Sequence, residues 1–129
     1  MSTKTTYGVT EVKIGDEQYN LNICLGAARA ITANFGGMTG MREAVMAYNI
    51  DGMAFIVAAG SQPGTTWEKP VGEQLRVIAE QAKSVAEEIF DAGLAVVAIQ
   101  LIPYVGAVLN PKGEAAGNAP KKGAARATQ

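Results

Sequence analysis

The chain has 129 residues, enough for one domain with a modest core. Its 11 Lys and Arg against 12 Asp and Glu leave a net charge of −1, which argues against a chain-wide basic footprint for nucleic acid. The absence of His removes the commonest general base, the commonest metal ligand and every Ser-His or Cys-His pair; the lone Cys24 excludes an internal disulfide and fits a reducing compartment.

Residues 1–7 are polar and contain no apolar signal core. From Val9 the pattern has period two: Val12 and Ile14 alternate with Glu11 and Lys13, and Tyr19, Leu21 and Ile23 with Gln18, Asn20 and Asn22. Gly15-Asp16 between them suits a two-residue turn, so the segment is expected to be a β-hairpin with one apolar face lying on helices. Cys24 at its exit reads as a buried, inert thiol.

Helical spacing follows. Leu25, Ala28, Ile31, Thr32 and Phe35 mark a first helix that Gly36-Gly37 should stop. A second is expected over 39–48, capped by Thr39, with Met41, Ala44, Val45 and Tyr48 on one stripe. A third is expected over 52–59, capped by Asp51, with Phe55, Ile56 and Ala59 inward. The run 60–64 (Gly-Ser-Gln-Pro-Gly) breaks the chain. A fourth, long helix is expected from Val71 to about Ile102, with Thr66 as cap and Pro70 in its first turn. Its apolar stripe runs from Leu75 through Ile89 and Phe90 to Leu101, opposite Arg76, Glu80, Lys83, Glu87 and Glu88. Pro103 removes one helical hydrogen bond, so a stop or kink near Ile102 is the preferred expectation, with two helices broken at Gly93 as the alternative.

Residues 92–109 are 18 positions without a charge. Burial within the protein or between copies accounts for them better than a membrane span, because Gln100, Pro103 and several small residues insert weakly. Residues 110–129 contain no Leu, Ile, Val or Phe and carry a net +3, leaving −4 for residues 1–109. That composition reads as a flexible, disordered basic tail. The fold expected is mainly α (α+β): one domain over 1–109, with an N-terminal β-hairpin on about four helices including a long C-terminal one, then the tail at 110–129.

Catalytic chemistry finds no foothold. One Cys and no His assemble no metal set, and Glu87, Glu88 and Asp91 read as a solvated helix face. Gly36-Gly37-Met38-Thr39-Gly40 lacks the Gly-Lys-Ser/Thr ending of a phosphate loop and reads as a turn between helices. Met38, Met41, Met46 and Met53 fall within 16 residues, a spacing that suits core filling before an adaptable binding surface. No catalytic residue, metal or cofactor is expected, and a binding or assembly protein is the reading the residues allow.

The hairpin around Gly15-Asp16 ending in Leu21, the helix start Leu25-Gly26-Ala27, then Phe35-Gly36-Gly37-Met38, Val57-Ala58-Ala59-Gly60 and Gly72-Glu73-Gln74-Leu75 together resemble the small tail assembly chaperones of long-tailed phages and gene transfer agents. The resemblance covers about residues 9 to 90. Where that family often has an acidic residue just before Phe-Gly, this chain has Thr32 and Asn34. The resemblance implies a non-enzymatic assembly factor in the bacterial host cytoplasm. Such a factor binds the tape measure protein, keeps its long apolar helices soluble and helps recruit tail tube subunits. A chaperone of this kind should expose apolar helix faces and form homo-oligomers. The client surface expected from the pattern comprises Leu94, Val97, Leu101 and Tyr104, with Met41 and Met46 as a second patch. Two other classes fit the same composition: a small phage-encoded regulatory or inhibitor protein, and a small membrane-active protein spanning at 92–109.

Overall fold

The computed structural model describes residues 7–112; the greater part of the expected tail lies outside the described residues. Strands β1 (Val9–Ile14) and β2 (Glu17–Asn22) pair antiparallel with Ile14 opposite Glu17 and Val12 opposite Tyr19. The turn is Gly15-Asp16, and of the two only Gly15 takes a positive φ (63°), the pattern of a turn that matches strand twist. Two further backbone bonds, Tyr7 N–H to Ile23 O and Ile23 N–H to Gly8 O, prolong the ladder. Alternation does what the sequence implies: Val12, Ile14, Leu21 and Ile23 are buried while Glu11 and Lys13 face out.

Five α-helices follow. Helix α1 (Leu25–Phe35) ends where Gly36 adopts the left-handed conformation (φ 74°) and returns its N–H to Thr32 O. Its inward face is Ala27, Ala30 and Ile31; Leu25 and Thr32 from the expected stripe are exposed. Helix α2 (Met38–Met46) starts one residue before Thr39, with Gly37 at the cap position, and stops before Tyr48. Helix α3 (Ile50–Gly60) is capped by Asn49, whose Oδ1 accepts from Gly52 N–H at 2.9 Å. Asp51, the expected cap, sits instead in the first turn, where its charge favours the helix dipole.

A 3-10 turn over Gly64–Glu68 leads into α4 (Val71–Ala92). Thr66 does not cap that helix. It is buried and donates to Gln62 Oε1, while Gln62 Nε2 donates to Ala58 O and Gln81 Oε1. The buried Gln62 amide is thereby paired at both ends, as a polar group in a core must be. Pro70 holds the cap position.

The expected single helix from 71 to 102 is two. Helix α4 ends at Gly93, and α5 (Leu94–Leu109) departs at 119° to it, running through Pro103 without a stop. Gly93 has φ 111° and ψ 124°, which no helix can contain. Pro103 gives up one bond to Ile99 O, on the exposed side of α5, where that loss is least costly.

Helix α3 is buried from Gly52 to Gly60 and forms the centre, with its most extensive packing on α4. A helix apolar on all sides has to be covered on all sides. Here α1, α2, α4, α5 and the hairpin do it. Small residues permit this closeness: a Cβ on Gly60 would stand 2.8 Å from Leu21 Cβ and 3.1 Å from the Tyr104 hydroxyl.

Three side chains tie the hairpin to the helices. Gln100 on α5 accepts from Lys13 N–H (2.7 Å) and donates to Lys13 O (2.8 Å), occupying the outer edge of β1 as a strand residue would. Tyr104 donates to Asn22 O (2.7 Å) and Tyr19 donates to Glu88 on α4.

Burial, then the hydrogen bond to Glu88 and its charge, raises the Tyr19 phenol above its ordinary value near 10. Burial, with Cys24 adding to it, does the same for Tyr104. Both folded values exceed the unfolded ones, so above about pH 10 the unfolded chain binds fewer protons than the native one and stability falls as pH rises. Thermal melts should show the melting temperature dropping beyond about pH 10, with Tyr104→Phe reducing that slope and leaving the part due to Tyr19. A slope unchanged in Tyr104→Phe contradicts the assignment.

Candidate functional site

Helix α5 carries two apolar seams. Val97, Leu101, Tyr104 and Val108 step by four, three and four residues and point into the core, all of them buried. A second seam runs Ala95, Ile99, Ile102, Gly106 and Leu109, stepping by four and three throughout, and faces outward. It spans about 21 Å of helix at 1.5 Å per residue. Helix α2 flanks it, so that two adjoining hollows of about 220 and 310 Å³ lie between the helices, sharing Val45, Met46 and Ile102. Tyr48 walls one end and Arg42 the other; Arg42 is the only charged residue lining either hollow.

Met46, Tyr48, Ile99, Ile102 and Leu109 are 49 to 68 % exposed. Isolated exposed apolar residues are ordinary, whereas five along one groove form a contiguous patch of the kind that marks a docking surface. Larger hollows lie elsewhere. One of about 440 Å³ beside Cys24 and Leu25 includes Lys112, the last described residue, and one of about 500 Å³ has Asp51 and Lys83 in its wall. A third, of about 450 Å³, is lined by Leu25, Trp67 and Val71. None of the three has as many exposed large apolar side chains as the α2/α5 groove, which is the stronger candidate.

Tyr48 adds an independent mark. It follows α2 with φ 57°, the only non-glycine with positive φ among the described residues. After a helix that conformation is normally taken by Gly, because a bulky residue there is strained by about 1–2 kcal/mol. The Tyr48 ring is half-exposed and lines the same hollow as Ile99.

The structure divides the six residues expected to bind a client. Val97, Leu101, Tyr104 and Met41 are enclosed in the core, and Leu94 packs partly against it. Met46 is on the groove. Val97, Leu101 and Tyr104 are out of a partner's reach because theirs is the inner seam of α5, and Met41 because it is on the buried face of α2. The residues that sequence reasoning passed over are Ile99, Ile102, Leu109 and Tyr48. The signal for the first three was present as the second four-three spacing in the same charge-free run; nothing in the sequence signals Tyr48. Cys24 is buried, as expected. Phe90, expected inside, is exposed on α4.

Among the described residues no three His, Cys, Asp or Glu come together as a metal-binding set. Of the five residues expected to form an interhelical turn, only Gly36-Gly37 separate α1 from α2; Met38, Thr39 and Gly40 form the first turn of α2. No single helix among the described residues is long and apolar enough to cross a membrane; α4 and α5 meet that length and composition only as a pair, bent by 119°. Comparison with protein families, with curated proteins and with solved structures gives no match.

Proposed function

We propose that this chain is a non-enzymatic tail assembly chaperone of the bacterial host cytoplasm that holds apolar helical segments of a tape measure protein in its α2/α5 groove and assists assembly of tail tube subunits. The observation that carries the reading is the outward seam Ala95, Ile99, Ile102, Gly106 and Leu109, uncharged and at four-three spacing, beside the exposed Met46 and Tyr48. A groove beside a helix with that spacing accepts the apolar face of another helix, read through residues three and four apart. Met supplies a flexible wall suited to clients of varied side-chain shape. The motif resemblance supplies the identity of the client.

The test is co-expression of the full chain with apolar helical segments of a tape measure protein, scoring the soluble client and the complex by gel filtration. Ile99→Glu places a carboxylate on the seam. It should weaken client binding by at least about 100-fold, because a charge desolvated against apolar walls is costly. Stability should change by no more than about 0.5 kcal/mol, since Ile99 is exposed. Full capture by Ile99→Glu, or no capture by the unaltered chain, refutes the reading.

Tyr48→Gly separates function from fold. Relief of the strained backbone should stabilise the chain by about 1 kcal/mol, while loss of the ring weakens client capture. A variant both less stable and fully competent contradicts the role given to Tyr48.

A further inference from the structure

We infer that in the absence of client the α2/α5 groove is covered by the same groove of a second copy of this chain, α5 lying antiparallel on α5. The inference rests on the client-binding reading only for what self-pairing excludes; its physical grounds are separate.

The first ground is area. The exposed parts of Met46, Tyr48, Ile99, Ile102 and Leu109 amount to roughly 500 Å² per copy, so a symmetric pair that covers all of them buries about 1,000 Å², the lower bound for a biological interface. The second is self-complementarity. In one antiparallel register Ile99 of each copy lies beside Ile102 of the other, and Gly106 lies over Ala95. Ile99 and Ile102 then meet at the middle, the small Ala95 and Gly106 on either side let the backbones approach, and Leu109 reaches past the start of the partner's α5.

The third ground is charge. Arg42 lines the groove at its Leu109 end, while Asp91 is exposed on the last turn of α4, two residues before the Gly93 bend from which α5 starts. Neither makes an ion pair among the described residues. An antiparallel pairing brings the Arg42 end of one copy to the Asp91 end of the other, twice by symmetry; a parallel one sets Arg42 against Arg42.

Light scattering and sedimentation equilibrium on the full chain decide it. The unaltered chain should show a concentration-dependent dimer. Ile99→Glu should weaken association by about 100-fold or more, with helical circular dichroism unchanged. Leu25→Glu, which charges an exposed apolar residue on α1, should leave the dimer intact. Arg42→Asp should weaken it by about 10-fold, and Arg42→Asp combined with Asp91→Arg should recover it. A chain monomeric at every concentration, or an oligomer indifferent to Ile99→Glu, overturns the inference. Failure of the double variant to recover overturns the antiparallel arrangement. The client reading is judged apart from these: a monomer that captures client leaves it standing, and a dimer whose dissociated form captures none removes it.

Discussion

Replacing Tyr104 by Ala should destabilise the chain by about 3–5 kcal/mol, the range for removing a buried aromatic side chain. Among the described residues Tyr104 is the largest wholly buried side chain, and it sits where three elements meet. Its hydroxyl reaches Asn22 O at 2.7 Å, at the end of β2, and stands close over Gly60 at the end of α3, while its backbone belongs to α5. Truncation leaves a ring-sized void that cannot collapse easily, because α3 and the hairpin are held by other contacts. Tyr104→Phe keeps the ring and loses only the hydroxyl. It should cost about 1–2 kcal/mol, the penalty for leaving the Asn22 carbonyl without its donor. Urea denaturation of both variants separates the two contributions. Equal losses would mean that the hydrogen bond, not the packing, anchors α5. A loss below about 1.5 kcal/mol in Tyr104→Ala would mean that the inner seam is not what fixes the helix. The second outcome would also undercut the groove, since the outer seam is presented only as long as the inner one is seated.

The hairpin was legible because its information is local. Alternation and one Gly-Asp pair specify strand, face and turn together, and a slip of one residue would expose Val12, Ile14 and Leu21 at once. The helices were legible as helices but their faces less so. In α1 the expected stripe of Leu25 and Thr32 lost to Ala27 and Ala30, because small residues mark where helices approach closely and a hydrophobicity count underrates them. Caps shifted: Asn49, two residues earlier, outcompeted Asp51, and Thr66 was drawn into pairing with the buried Gln62, leaving Pro70, four residues on, at the cap of α4. The site was half legible. Residues 92–109 could be recognised as an apolar element with something to cover. A helix apolar all round, however, has two equivalent seams, and periodicity within the helix is blind to which one faces the core. That choice is made by α3 and the hairpin, through Tyr104 with Asn22 and Gln100 with Lys13, contacts 82 and 87 positions apart in the chain. The choice between Gly93 and Pro103 as the point of the break was hidden for the same reason. A Pro announces a lost hydrogen bond wherever it stands, but whether its helix can tolerate that depends on which side faces out.

Gly93→Ala should therefore cost about 2–3 kcal/mol, more than any ordinary exposed Gly-to-Ala change, which is often stabilising. Space is not the obstacle: a Cβ at Gly93 would meet nothing nearer than a Val96 methyl at 3.6 Å. The obstacle is the backbone. At φ 111° and ψ 124° an L residue is strained, and the conformation is required because α5 leaves α4 at 119° to return across β1 and α2. Alanine prefers φ and ψ that continue the helix, which would carry α5 straight on and strip Val97, Leu101 and Tyr104 from the core. Asn should rescue little, because the left-handed helical region it tolerates has ψ near +45°, far from the value here. Chemical denaturation of Gly93→Ala and Gly93→Asn tests both statements. A neutral alanine would show that the bend survives with another backbone at position 93, and a neutral asparagine that the residue relaxes into the left-handed helical region. If both are costly, one glycine directs the inner seam of α5 to the core and leaves the outer seam free for a partner.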